Sequence, residues 1–107
     1  MSNLKAVFNV NQNERFYTGV NHIKVLANCG ESIELSLVLT GEPVKYATYD
    51  KNIKELLDLG VEVNVCKNTL IHFEIDEKFL IKGVKIVPIG ALELIKKQNT
   101  GWSYLKP

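Results

Sequence analysis

The hydrophobic residues of this chain follow two periods, one typical of strands and one typical of helices. Four short runs rich in β-branched residues predict strands, and they span residues 4–10, 33–39, 61–66 and 84–89. Between these runs, apolar residues recur at every third or fourth position, which is the spacing of one helix face. This second pattern predicts three helices, over residues 13–28, 53–59 and 92–98.

Glycines mark the junctions between the predicted helices and strands. Gly30, Gly60 and Gly83 each lie between a helical segment and the strand that follows, and Gly101 ends the last helix in the same way. Glycine at a helix end adopts the left-handed conformation without the steric cost of a Cβ atom. Alternating strands and helices with short loops predict βαβ units, and therefore an α/β three-layer sandwich with a mostly parallel sheet covered on both faces.

Two segments are less regular. Residues 67–82 are predicted to form two short helical pieces with a corner between them, the second capped by Asp76. The tail, residues 101–107, alternates aromatic and other residues, which fits either a short edge strand on the same sheet or a segment packed against a neighbouring subunit. No linker or repeat interrupts the pattern, so we expect one domain over residues 1–107.

Composition narrows the class of protein. The chain has 107 residues, of which 46% are hydrophobic and 23% charged, as in ordinary globular domains. Its formal net charge of +1 excludes a polybasic arm, so we expect no nucleic-acid partner. No apolar run reaches the length of a membrane span and no apolar leader follows Met1, so we expect no membrane association and a cytoplasmic location.

Candidate chemistry lies at the carboxyl ends of the predicted strands, because ligands of open parallel sheets bind there. Cys66 is the last residue of its strand and precedes a short predicted helix. Helix N–H groups and the charge of Lys67 both favour a thiolate, which lowers the pKa of a thiol. A buried cysteine that only fills space fits these residues equally well. The other polar residues at these strand ends are Asn9, Asn11, Thr40, Glu42, Asn68 and Thr69.

The second cysteine, Cys29, and the histidine His72 are weaker candidates for a chemical role. Cys29 lies in the last turn of the first predicted helix, where the helix dipole disfavours a thiolate, so we interpret it as structural filling. A disulfide between Cys29 and Cys66 is disfavoured, because the two residues fall at opposite ends of the predicted sheet. His72 follows Cys66 within the same irregular segment, and we expect it on the surface. Two cysteines without a nearby histidine pair make a poor zinc site, so we expect no bound metal.

Four segments taken together carry a family resemblance: residues 8–11, 61–70, 83–90 and 93–107. The pattern resembles the short, single-domain branch of the DsrE/DsrF-like family of small sulfur-relay proteins, and it covers nearly the whole chain. Better-characterised members often have an Arg-Gly pair shortly after the cysteine, where this chain has Phe73-Glu74-Ile75. The most specific residues of the resemblance are Cys66-x-Asn68-x-Leu70 and an ending with Gln98, Gly101, Tyr104 and Pro107.

The resemblance implies a parallel α/β sandwich of about five strands, assembled as a homo-trimer or homo-hexamer. It also implies that Cys66 occupies the sulfur-accepting position of the family and carries sulfane sulfur as a persulfide between donor and acceptor proteins. Such a chain would be a sulfur carrier or sulfurtransferase. No metal or organic cofactor is implied.

Our leading hypothesis is therefore a sulfur carrier with Cys66 as the nucleophile. The residues predicted to stabilise its thiolate or to line the pocket are Asn9, Asn11, Lys67, Asn68 and Thr69. The alternative is a non-catalytic oligomeric binding or scaffolding protein of the same fold, with Cys66 as a buried structural residue. A nucleotide or small-molecule binder is a third interpretation, against which the lack of a glycine-rich phosphate loop argues.

Overall fold

Five parallel strands form one sheet in this computed structural model, which describes residues 4–107. The strands lie in the order β4-β3-β2-β1-β5, and every neighbouring pair is parallel. The predicted strands and their parallel arrangement are confirmed, although the segment 84–89 contributes only three strand residues. The strands are β1 (Leu4–Val10), β2 (Ile33–Leu39), β3 (Glu62–Cys66), β4 (Lys85–Val87) and β5 (Ser103–Leu105).

Helices connect the strands. Within the described residues, the α-helices are α1 (Phe16–Ala27), α2 (Lys51–Asp58), α3 (Lys67–His72) and α4 (Gly90–Asn99). Short 3-10 helices cover Asn13–Arg15, Glu42–Thr48 and Glu77–Phe79. The three helices predicted from the apolar stripes correspond to α1, α2 and α4, and α4 begins two residues before the predicted start.

Helices α1 and α2 cover one face of the sheet, and α4 covers the other. On the first face, Ala6, Phe8 and Val10 pack in one hydrophobic core with residues of α1 and α2. On the second face, α4 begins against Val38 and Cys66. Strands β1 to β4 step across the sheet in one direction, so their right-handed connections fall on one side, whereas the return from β4 to β5 carries α4 over the opposite side.

The first helix ends at Ala27, so Cys29 lies outside it. The side-chain amide of Asn28 donates a hydrogen bond to the Lys24 carbonyl (2.8 Å) and satisfies one of the terminal acceptors of the helix. The chain then turns at Gly30, whose φ of 89° is in the left-handed region. Cys29 is exposed, and its interpretation as structural filling is therefore wrong.

Both irregular segments adopt a form that the sequence indicated. Residues 67–82 contain two short helical pieces, and the Asp76 carboxylate accepts a hydrogen bond from the Lys78 amide at 2.9 Å, which is N-cap geometry. His72 is exposed, as expected. The tail forms the edge strand β5, in which Tyr104 lies opposite Val7 of β1.

The 3-10 helix Glu42–Thr48 has no counterpart among the predicted elements. It starts after Gly41, whose φ is 66°, and Pro43 occupies its first turn. Inside it, the ring of Tyr46 stacks on Phe16 of α1 with 4.0 Å between the ring centroids. This long-range aromatic contact stabilises a segment whose own sequence carries no clear helical period.

A buried ion pair attaches α4 to the sheet. Lys97 Nζ lies 2.8 Å from Glu62 Oε1 and 3.2 Å from Glu93 Oε2. The Lys97 side chain is 10% exposed and that of Glu62 27%, so water screens this pair less than an exposed one. Further donors reach the Glu62 carboxylate at 2.9 to 3.2 Å, and they are Ser36, Asn64 and Lys85.

These contacts keep both partners charged. Burial alone raises the pKa of Glu62, but hydrogen bonds from Lys97, Asn64, Ser36 and Lys85 outweigh burial and lower the pKa to about 2. Burial likewise lowers the pKa of Lys97, but the neighbouring carboxylates of Glu62 and Glu93 raise it overall. The pair is therefore ionised throughout the neutral range.

We expect Glu62→Gln to weaken the dependence of folding stability on acid pH. Because the pKa of Glu62 is about 2 in the folded chain against an ordinary 4.5, its carboxylate stabilises the fold above pH 4.5, and this contribution is lost as the pH falls toward 2. Wild type should exceed the variant in free energy of unfolding at neutral pH by on the order of 2 kcal/mol. Urea unfolding at a series of pH values measures this difference, and a difference that does not change with pH would contradict the assignment.

Candidate functional site

Cys66 lies at the junction between β3 and α3. It is the last residue of the strand and the N-cap of the helix, with extended backbone angles (φ −79°, ψ 121°). Because strand side chains alternate, Cys66 shares with Glu62 and Asn64 the face of β3 that α4 covers. Cys66 is 6% exposed, whereas Lys67 and Asn68, which follow it, are exposed. The sulfur is therefore buried at the carboxyl end of the sheet, next to surface residues.

Hydrogen-bond donors surround the sulfur of Cys66. They are the hydroxyl of Thr69 and the backbone N–H groups of Gly90, Thr69 and Asn68, which act on the charge of the sulfur, although the Cys66 side chain makes no N-cap hydrogen bond to α3. Burial raises the pKa of the Cys66 thiol, but these hydrogen bonds favour the anion and the net effect lowers the pKa. We call these four donors the thiolate cradle. Converging main-chain N–H groups are a common way in which proteins bind anions.

The N-terminus of α4 reaches Cys66 because residue 90 is glycine. A Cβ atom at position 90 would lie 2.5 Å from Thr40 Cγ2 and 3.4 Å from Cys66 Cβ. The first separation is about 1 Å below a normal carbon–carbon contact, so no larger residue fits without movement. Since α4 has ten residues, its dipole places a partial positive charge beside the sulfur. Cys66 thus lies between the starts of two helices.

Asn9 of β1 contributes to the site indirectly, through hydrogen bonds to the end of β2. Its side-chain amide donates to the Val38 carbonyl (3.0 Å) and to Thr40 Oγ1 (3.2 Å). Thr40 in turn packs against Gly90. Asn9 therefore ties the ends of β1 and β2 together beside the first residue of α4.

The remaining predicted residues separate into two groups. The amides of Asn68 and Thr69 belong to the thiolate cradle, as does the Thr69 hydroxyl. Lys67 directs its ammonium toward Glu77, with 3.8 Å between Nζ and Oε2, and both side chains are about half exposed. Asn11 is exposed on the loop after β1, where its carbonyl oxygen lies close to Gly41.

Gly90 is the part of the site that sequence reasoning missed. Glycine is a familiar marker of helix ends, and Gly90 stands at a helix start. A signal was present: glycine just after a strand and at the beginning of a helix permits close approach of the backbone to a neighbouring group. What that neighbour is depends on the path of the chain through β4, which sequence spacing does not specify.

Two of the cavities in the described part of the chain illustrate that open space lies away from Cys66. One, of about 500 Å³, lies at the amino ends of the strands and is lined in part by Glu62 and Trp102. The other, of about 420 Å³, is mainly apolar and lies between α1 and β5, next to Leu105. Within residues 4–107, no three His, Cys, Asp or Glu side chains come close enough to hold a metal ion. Over the same residues, no helix is both long and apolar enough to cross a membrane.

Comparison with known proteins identifies relatives over the full length of the described chain. The family model of the DsrE/DsrF-like family matches residues 4–107. No curated protein matches the chain significantly.

Solved structures share the fold. The protein of unknown function MTH1491 from Methanobacterium thermoautotrophicum is 25% identical with a TM-score of 0.91, over 97% of this chain and 99% of that one. The ychN protein from E. coli is 19% identical with a TM-score of 0.81, and all of both chains is covered. The conserved protein of unknown function BT1422 from Bacteroides thetaiotaomicron is 18% identical with a TM-score of 0.79, over 98% of this chain and 96% of that one.

We expect Thr69→Val to slow alkylation of Cys66 by iodoacetamide at pH 7 about tenfold. The substitution keeps the shape of the side chain but removes the hydroxyl donor, and a hydrogen bond to a charged group contributes about 1.5 kcal/mol, which is a factor of ten. The pH dependence of alkylation, followed by mass spectrometry of the Cys66 peptide, should shift to higher pH. Thr69→Ser, which keeps the hydroxyl, is the matched control; equal rates for the two variants would contradict the role of this donor.

Proposed function

Since the chain belongs to the DsrE/DsrF-like family, which is associated with sulfur relay, we propose that it carries sulfane sulfur as a persulfide on Cys66. The observation that supports this proposal is the position of Cys66 at the start of α3 and beside Gly90 at the start of α4, where the groups of the thiolate cradle lower the pKa of its thiol. A cysteine that only fills space needs no donors around it. A thiolate needs them, because a buried anion without hydrogen bonds is costly.

The proposed step is a thiol–persulfide exchange. The Cys66 thiolate attacks the outer sulfur of a donor persulfide, R–S–SH, and a new S–S bond forms between Cys66 and that sulfur. The S–S bond of the donor breaks, the donor leaves as a thiolate, and the proton stays on the transferred sulfur. No net oxidation takes place. Attack by an acceptor thiolate on the same outer sulfur unloads Cys66.

We place this exchange in the cytoplasm. Cys29 and Cys66 are both free thiols, and a reducing compartment keeps thiols in this state. The partners of the exchange are donor and acceptor proteins that present persulfide and thiol groups. They must approach the carboxyl end of the sheet, where Lys67 and Asn68 are exposed.

We also propose that the chain forms a homo-oligomer, a trimer or hexamer as the family resemblance implies. Support comes from exposed apolar side chains on α4 and the residue before it. Ile89, Leu92 and Ile95 are 46%, 40% and 53% exposed, and Leu92 and Ile95 are spaced so that they lie on one side of the helix. Burial of this apolar surface by a second copy is favourable.

A second candidate function is a non-catalytic binding or scaffolding protein in which Cys66 is structural. The observation that favours it is the low exposure of Cys66, 6%, together with the position of both cavities away from the sulfur. In this case Cys66 would react with thiol reagents and persulfides only after unfolding. The loading experiment below separates the two candidates.

Loading with glutathione persulfide tests the proposed function. We expect the Cys29→Ser chain, in which Cys66 is the one thiol, to gain one sulfur atom, about 32 Da, because Cys66 is a stabilised thiolate. The Cys66→Ser chain keeps only the exposed Cys29 and should load about tenfold more slowly at pH 7. Intact-mass spectrometry over time measures both. Failure of the Cys29→Ser chain to load, or loading no faster than that of Cys66→Ser, favours the structural candidate.

Light scattering after size-exclusion chromatography tests the oligomer. Wild type should elute with the mass of three or six chains, and Ile95→Glu should shift the mass toward one chain, because a charge in the buried interface is unfavourable. Val25→Glu is the control, since Val25 is 67% exposed on α1, on the opposite face of the sheet. A wild-type mass of one chain at micromolar concentration would disprove the proposed assembly.

A further inference from the structure

We infer that Lys97 is a positioning residue for Cys66: its ion pair with Glu62 holds α4 along β3 and so keeps the Gly90 N–H group against the cysteine sulfur. The consequence of this positioning for sulfur transfer rests on the proposed function. The effect of the distant ion pair on the ionisation of Cys66 can be measured without any sulfur donor.

Helix α4 is attached to β3 near both of its ends. Gly90, its first residue, packs against the Cβ of Cys66, and Lys97, seven residues later, binds Glu62, which lies four residues before Cys66. The helix therefore runs antiparallel to the strand. Seven helical residues rise roughly 10 Å and four strand residues roughly 13 Å, so the two contacts have matching spans.

The burial of α4 is concentrated at these two contacts. Gly90 and Lys97 are its buried residues, and Glu93 and Leu94 are half-buried, while the rest of the helix is exposed. Gly90 has no side chain with which to anchor the helix. The position of its N–H group is therefore set by the chain on either side: by β4, whose Val87 pairs with Cys66, and by the attachment farther along α4, which the buried Lys97 provides.

Loss of the contact between Lys97 and Glu62 also costs considerable free energy. Glu62 is held by Ser36 and Asn64 on the face that α4 covers, and Lys97 supplies the closest cation, at 2.8 Å. Removal of the ammonium alone leaves a partly buried carboxylate with only the exposed Lys85 as a charged partner. Such a loss costs more than the loss of an exposed pair. We expect α4 to shift on the sheet as a result.

Trp102 gives a second readout of the same attachment. The Trp102 amide donates a hydrogen bond to the Lys97 carbonyl (3.1 Å), and Lys97 Nζ lies 4.4 Å from the centroid of the indole ring. Trp102 is the one tryptophan of the chain. Its fluorescence therefore reports on the surroundings of Lys97, at the far end of α4 from Cys66.

The test measures the midpoint of the pH profile for alkylation of Cys66 by iodoacetamide, in the Cys29→Ser background at 0.15 M salt. Lys97→Met removes the ammonium and Lys97→Arg retains a positive charge. Lys97→Met combined with Glu62→Gln removes both charges at once, which leaves the net charge unchanged and avoids an unpaired buried carboxylate. Lys24→Met is the matched control, because it breaks another ion pair, with Glu55, that joins α1 to α2 on the opposite face of the sheet.

We expect Lys97→Met and the double variant to move the midpoint to higher pH, to slow alkylation at pH 7 by up to about tenfold, and to change Trp102 fluorescence. Lys97→Arg and Lys24→Met should keep the wild-type midpoint.

An unchanged midpoint in Lys97→Met overturns the inference, as does an equal shift in Lys24→Met, which would indicate general loosening. A shift in Lys97→Met that is absent from the double variant also overturns it, because the effect would then be the charge and not the position of α4. This test uses no persulfide, so its outcome does not depend on whether Cys66 carries sulfur.

Discussion

The ion pair between Glu62 and Lys97 is the contact that fixes the second face of the sheet. The first face is held by apolar packing, in which Phe8 and Leu37 meet side chains of α1 and α2 in a single core. The α4 face contains Ser36, Asn64 and Glu62 beside the buried Val7 and Val38, and polar groups in a buried layer require partners in definite directions. A helix that supplies those partners has one position on the sheet. In that position the first residue of α4, Gly90, lies beside Cys66.

Cys66 combines two opposing influences on its thiol. Burial disfavours the anion, and the hydrogen bonds from Thr69, Gly90 and Asn68 favour it more strongly. Under the proposed function, this balance affects the reactivity of Cys66. A thiolate that is stabilised but covered is protected from general oxidants and is available to a partner that reaches it along a specific route.

Local patterns in the sequence predict most of the fold and part of the site. Alternation and apolar stripes identify β1, β2, α1 and α4, because the period of burial is visible in neighbouring residues. The position of Cys66 at a strand end follows from the same pattern. Contacts between distant segments do not. Gly90 reaches Cys66 only after the chain passes through β4, and the charge of Lys67 is drawn to Glu77 of a later turn. Cys29 lies outside α1 because the side chain of Asn28 caps the helix, a short-range contact that hydrophobic periodicity does not reveal.

The most direct measurement is the ionisation of Cys66 in the folded and the unfolded chain. In Cys29→Ser protein, the ultraviolet absorbance of the thiolate is titrated with pH under native conditions and in concentrated urea. The thiolate cradle predicts that the folded chain forms the anion at lower pH than the chain unfolded in urea. A folded chain that ionises at the same pH as the unfolded chain, or at a higher one, would show that burial dominates. Cys66 would then be a structural residue and not the sulfur-carrying group.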